Sequence, residues 1–130
     1  MSTAYSVFVK TDASEDAVKA SLEGILNCKL ASYEHPHRRE IKHQAEMLGV
    51  AIELGKCDWL EDDGVIAFSE YQFEIDIEFR GQARLDFEFK NSWREAMAIA
   101  LANMLPKQLK CECIAVYDLQ RILRTFPEDV

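Results

Sequence analysis

Carboxylates are the side chains whose number and spacing first suggest a task in this sequence. Eight lie between Asp58 and Glu78, namely Asp58, Glu61, Asp62, Asp63, Glu70, Glu74, Asp76 and Glu78, with no lysine or arginine among them. The 130 residues carry 23 acidic and 15 basic side chains, a formal net charge of −8. Outside this stretch fifteen acidic residues face fifteen basic ones, so the surplus is local. Such a patch attracts either a divalent metal, through hard oxygen ligands, or the basic surface of another protein. The order of residues from Asp58 to Asp63 matches no EF-hand loop, and no metal or other cofactor is expected. The plainer alternative is a solvated strand face whose charge protects a sheet edge from aggregation. Trp59 and Tyr71 stand at either end of the acidic loop, where aromatics serve as interface anchors or tuck into the core. The expected partner-binding set is therefore Asp58, Trp59, Glu61, Asp62, Asp63, Glu70, Tyr71, Glu74, Asp76 and Glu78.

Other reactive side chains carry less. Cys111-Glu-Cys113 places two thiols on one side of a strand, and His35, His37 and His43 make a zinc site conceivable. The spacing is not the two-residue gap of a zinc knuckle, and small core thiols are the better reading. No local motif supports a Cys–His nucleophile. His35-Pro-His37 with Arg38, Arg39 and Lys42 is the one basic island, suited to a phosphate, to the chain's own acidic stretch, or simply to a surface loop. No Gly-rich phosphate loop, Gly-x-Ser-x-Gly or His-Glu-x-x-His is present. The sequence predicts no enzyme.

These residues need elements to hold them. Tyr5 to Val9 reads as a strand. Asp12 or Ser14 offers a cap for a helix over Ala13 to Leu26, with Val18, Leu22, Ile25 and Leu26 inward and Glu15, Lys19 and Glu23 on the opposite face. Asn27 is a suitable stop. Cys28 to Tyr33 reads as a second strand. Residues 41–54 fit either a helix or a strand, and Gly49 and Gly55 favour the strand. Glu61-Asp-Asp-Gly64 has turn chemistry.

Phe73, Ile75, Ile77 and Phe79 alternate with Glu74, Asp76, Glu78 and Arg80, and Leu85, Phe87 and Phe89 with Arg84, Asp86, Glu88 and Lys90. This predicts a hairpin apolar on one face and charged on the other. With Gly81 to Ala83 as the loop, Phe79 pairs with Leu85, Ile77 with Phe87 and Ile75 with Phe89. Glu78 then lies beside Asp86 and Asp76 beside Glu88, a repulsion of a few tenths to about 1 kcal/mol per pair. A five-residue loop would instead oppose Arg80 to Asp86. Either register leaves an outward carboxylate field.

Ser92 and Glu95 suggest a capping box for a helix from Ala96 to Leu105 with Met97, Ala100, Leu101 and Met104 as its stripe, ended by Pro106. Lys110 to Tyr117 reads as an inner strand. Asp118 suggests the cap of a short final helix with Leu119, Ile122 and Leu123 inward. The order β-α-β-β-β-β-α-β gives an α+β fold: one domain over 1–130, mainly antiparallel, with two main helices packed on one face.

A start without a basic segment and long apolar run predicts no signal peptide and a cytoplasmic home. No apolar run approaches the length of a membrane span. A pI near 4.9 disfavours nucleic acid and anionic membranes and favours a basic partner. An acidic α+β chain with a carboxylate-rich segment from Glu61-Asp-Asp-Gly64 to Glu78 and no catalytic motif resembles bacterial toxin-immunity proteins, including those of contact-dependent inhibition and polymorphic-toxin systems. The resemblance implies a tight complex with one cognate toxin, often a basic nuclease. It further implies that Asp62, Asp63, Glu74, Asp76 and Glu78 occupy the toxin's phosphate-binding surface. Two other readings remain: a structural or regulatory subunit that self-associates, and a divalent-metal or small-ligand module. The sequence leaves the oligomeric state open.

Overall fold

A computed structural model describes residues 4–34, 36, 40–47, 49–57, 62, 64–80 and 87–127. Among them seven strands form one antiparallel sheet: β1 (Tyr5–Lys10), β2 (Ala31–Glu34), β3 (Ile41–Met47), β4 (Val50–Lys56), β5 (Phe73–Phe79), β6 (Glu112–Tyr117) and β7 (Arg121–Phe126). Their order across the sheet is β2-β3-β4-β5-β1-β6-β7. Two helices, α1 (Glu15–Leu26) and α2 (Phe87–Gln108), pack on one face. The fold is the α+β domain that the alternation and the two helical stripes predict.

Period-two alternation decides what each face of the sheet carries. Val7, Val9, Ile52, Leu54, Ile75 and Ile77 meet Val18 and Leu22 of α1 and Ala98, Leu101, Ala102 and Leu105 of α2. The intervening residues point to the back. There Phe8, Ile114 and Val116 are covered by Cys57, Ile66 and Phe68, with Tyr71 and Leu119 at the margin. Phe8 packs on Phe68 with ring centroids 5.0 Å apart. Burying each of these rings contributes on the order of 1.5–3 kcal/mol. The β1–β6 half of the back is thus closed by the chain between β4 and β5, while polar residues occupy the β2–β5 half.

Helix α1 follows its sequence signals closely. Ser14 Oγ accepts from Ala17 N–H at 3.1 Å, and Asn27 closes the helix in the left-handed region at φ 54°. Residues 41–54 are two strands joined at Gly49, whose φ of 77° a hairpin turn requires.

Three expectations are corrected. Phe87 to Lys90 open α2 and are not the return strand of a hairpin, and Leu85 and Asp86 lie outside the described residues. Strand β5 instead lies between β4 and β1, with Ile75 opposite both Leu54 and Val7. The helix wins because Phe89, Trp93 and Met97 fall at four-residue spacing: the Phe89 and Trp93 rings meet at 5.5 Å, and Trp93 Nε1–H donates to Met97 Sδ at 3.1 Å. Ser92 and Glu95 therefore lie inside α2 rather than capping it. Pro106 also lies inside the helix, two residues before its end rather than beyond it, and supplies no N–H to the preceding turn. Finally, 121–126 is strand β7 and not a helix. Asp118 and Leu119 both take positive φ, at 53° and 58°, and Gln120 N–H donates to Tyr117 O at 3.1 Å, turning the chain back along β6.

Candidate functional site

On the open half of the back, strand register brings carboxylates together. Glu53 of β4 lies opposite Asp76 of β5, and Ala51 lies opposite Glu78. Tyr33 reaches over from β2 and donates its phenol hydroxyl to Glu53 Oε2. Arg80, just past β5, forms the rim, with Nη1 3.2 Å from Glu46 Oε1 and Nη2 3.4 Å from Glu78 Oε2. Tyr33, Ala51, Glu53, Asp76, Glu78 and Arg80 enclose a cavity of about 220 Å³. Three carboxylates against one guanidinium leave its lining negative.

Each acid stands in a distinct environment. Burial raises Asp76 above the ordinary carboxylate value, offset in part by the Ser6 hydroxyl, by Glu74 and by the Lys42 ammonium. Ser6 Oγ donates to Asp76 Oδ1 at 2.9 Å. Burial, and next the Glu53 carboxylate, push the Tyr33 phenol up to about 12, so it stays a hydrogen-bond donor at neutral pH. Glu78 is exposed and open to solvent screening. The pocket therefore grades from a half-buried acid at its floor to a solvated acid at its mouth. It is smaller than a typical organic-ligand site but large enough for the head of one arginine or lysine side chain. Carboxylates that converge on such a space make charge-assisted hydrogen bonds to a guanidinium or ammonium.

Among the described residues, the sequence-expected set is spread over several places. Asp58, Trp59, Glu61 and Asp63 lie outside the described residues. Asp62 accepts from Ser69 N–H at 2.7 Å and from Ser69 Oγ at 2.8 Å, which ties its carboxylate to the short 3₁₀ turn at Phe68–Glu70. Tyr71 packs edge-on against Phe8 and belongs to the back core. Glu74 is 2% exposed, so the outward field expected along the whole strand does not include it. Glu70 lines a separate cleft of about 620 Å³ with Lys10, Asp12, Gln72, Lys110, Cys111 and Glu112. Charges there are mixed, and Lys10 pairs with Glu112 at 3.5 Å. Among the described residues of the expected set, only Asp76 and Glu78 meet in the acidic pocket.

Sequence reading missed Tyr33, Glu53 and Arg80. Their signal was the pairing of β4 with β5, legible only once 41–54 is divided into two strands at Gly49. The Cys111 and Cys113 sulfurs lie 3.8 Å apart at the start of β6, with Cys113 fully buried. Among the described residues no group of three His, Cys, Asp or Glu side chains is placed to hold a metal ion. Among them, too, no helix is long and apolar enough to cross a membrane. No family model matches the chain, nor does any curated protein or solved structure.

Proposed function

We propose that this chain binds a basic protein through the acidic half of the sheet's back, in the manner of an immunity protein that neutralises a cognate toxin. The observation that carries the reading is the convergence of Glu53, Asp76 and Glu78 with Tyr33 on a cavity the size of one cationic side chain. An arginine or lysine of the partner would enter between Glu53 and Glu78. Tyr33 would hold Glu53 in place, and the half-buried Asp76 would supply negative charge beneath. The local surplus of carboxylates favours the same partner class, because an uncompensated acidic patch accelerates encounter with a basic surface. A nuclease-type toxin, whose positive surface binds nucleic-acid phosphate, has the required charge.

The test is co-expression with the product of the neighbouring upstream reading frame, followed by co-purification and sizing. The expected result is a tight complex, lost or strongly weakened in the double variant E53K/E78K. A complex indifferent to that double reversal would overturn the assignment of the pocket. Absence of any complex, with the chain alone forming a salt-resistant dimer, would favour a self-associating subunit instead.

A further inference from the structure

On the helix side of the sheet, where the acidic pocket does not reach, three polar side chains form a connected relay with a lysine at one end. His43 of β3 is buried at 5% exposure. Its Nδ1 lies 2.7 Å from Ser32 Oγ, and its Nε2 lies 3.0 Å from Glu15 Oε2. Lys19 Nζ donates to the same Ser32 Oγ at 3.4 Å. Glu15 and Lys19 are one turn apart on α1, so the helix presents an acid to the imidazole and a cation to the hydroxyl. This is the polar stripe the sequence reading set opposite the core. In the fold it is turned toward β2 and β3, and Glu23 on the same stripe accepts from Leu30 N–H at 2.8 Å.

The network assigns the protons of a neutral imidazole. An ionised Glu15 only accepts, so Nε2 carries the hydrogen and donates to it. Nδ1 is then the acceptor and the Ser32 hydroxyl its donor. Lys19, itself only a donor, takes a lone pair of Oγ and leaves the hydroxyl hydrogen directed at the imidazole. Ser32 is exposed and sits on β2, an edge strand, so a substrate can approach it. The arrangement couples an accessible hydroxyl, a buried base and an acid that fixes the base's tautomer, the relation of parts that activates a serine.

We propose that Ser32 is an activated nucleophile that takes the acyl group of a small carboxylic ester. Ser32 Oγ attacks the ester carbonyl carbon while its proton passes to His43 Nδ1. The Lys19 ammonium lies beside the oxyanion that forms. Collapse of the adduct breaks the carbon–oxygen bond to the alcohol, which leaves with the proton from Nδ1. Water then attacks the acyl-serine, giving its proton to Nδ1, and the released Ser32 oxygen takes that proton back as the acid departs. Glu15 acts through His43 and is a positioning residue. This adds a reaction to a chain whose sequence motifs predict none. It does not depend on the binding reading, because Ser32 and Tyr33 point to opposite faces of β2.

The test is to treat the full chain with p-nitrophenyl acetate and, separately, with a fluorophosphonate probe, and to map the adduct by peptide mass spectrometry. The expected result is one adduct, at Ser32, absent from S32A. H43Q should slow labelling roughly 10²- to 10⁴-fold. E15Q should slow it by about tenfold or more, with E15D restoring most of the rate, which a purely structural carboxylate would not require. His43 is buried and its variant could fail to fold, so E15Q and S32A, at half-buried and exposed positions, carry the decision if it does. An adduct elsewhere, equal labelling of S32A, or wild-type labelling of a folded E15Q or H43Q would overturn the proposal.

Discussion

The Lys42 side chain lies directly over Gly55. A β-carbon at Gly55 would run into Lys42 Nζ and stand 2.6 Å from Cδ and 2.9 Å from Cε. The Lys42 side chain is 3% exposed and its ammonium pairs with Glu40 at 3.0 Å, so the lysine cannot swing into water without undoing a buried ion pair. Glycine in β4 is therefore what lets a cation lie across the strand toward Glu74, which is paired with Gly55 in β5. That cation lowers the Asp76 carboxyl and so steadies the floor of the acidic pocket.

Replacing Gly55 with alanine is expected to destabilise the chain by about 1–3 kcal/mol, the usual cost of forcing extra volume into a packed site. Urea unfolding of G55A, K42M and G55A/K42M measures it. Since the clash is with Lys42, the double variant should cost less than the sum of the singles by about 0.5 kcal/mol or more. Strict additivity would show that the glycine is needed for some other reason.

Asp76 sets the pH dependence of this region. Its folded value is raised, first by burial, so the folded chain holds the Asp76 proton more tightly than the unfolded chain. That preference favours folding in acid and is lost as pH rises through the folded value. At neutral pH the same preference works against folding, because the unfolded chain ionises more readily. D76N keeps an oxygen for the Ser6 hydroxyl and should be more stable than the parent at pH 7. The margin should close as pH falls below the ordinary carboxylate value of 3.8. Thermal melts of both chains across this range check it; a margin that widened in acid would contradict the burial argument.

Thiol chemistry should separate two cysteines only two residues apart. The neighbouring Cys113 thiol lowers Cys111, whereas the Cys111 contact and then burial raise Cys113. Cys111 also opens onto the large cleft beside Lys10 and Lys110. Iodoacetamide at mildly alkaline pH is expected to modify Cys111 in the folded chain and to reach Cys113 only after unfolding. Peptide mapping of the alkylated protein decides the order.

The parts of the fold legible in the sequence are those whose signals are local. Ser14 and Asn27 bound α1 with side-chain and backbone chemistry contained within a few residues. The alternation of β1 and β5 likewise needs no distant partner to be read. What was not legible is which strand β5 pairs with, since alternation fixes a face but not a neighbour. Phe87 and Phe89 continued that alternation across Gly81, while the competing four-residue spacing of Phe89, Trp93 and Met97 became decisive only with Trp93 packed against Phe79. Strand β7 was hidden by its turn. Asp118 tolerates a left-handed backbone but Leu119 does not advertise one; packing of Leu119 at the margin of the back core accompanies that conformation.

The same distinction governs the site. Glu74, Asp76 and Glu78 announce an acidic strand, yet burial divides them, and Glu53 and Tyr33 join only through pairing with β4 and β2. The relay of Glu15, Ser32 and His43 spans three elements and leaves no spacing motif for sequence reading to find.

The proposed role of the pocket at Glu53, Asp76 and Glu78 is to receive a basic protein. The most direct measurement is the association rate with the co-expressed partner by stopped-flow, at about 50 mM and about 500 mM salt, for the parent and for E53K/E78K. Salt is expected to slow the parent by about tenfold or more, whereas the double variant should already be slow at low salt and nearly indifferent to it. Equal rates for parent and variant, or a parent rate that ignores salt, would contradict that role.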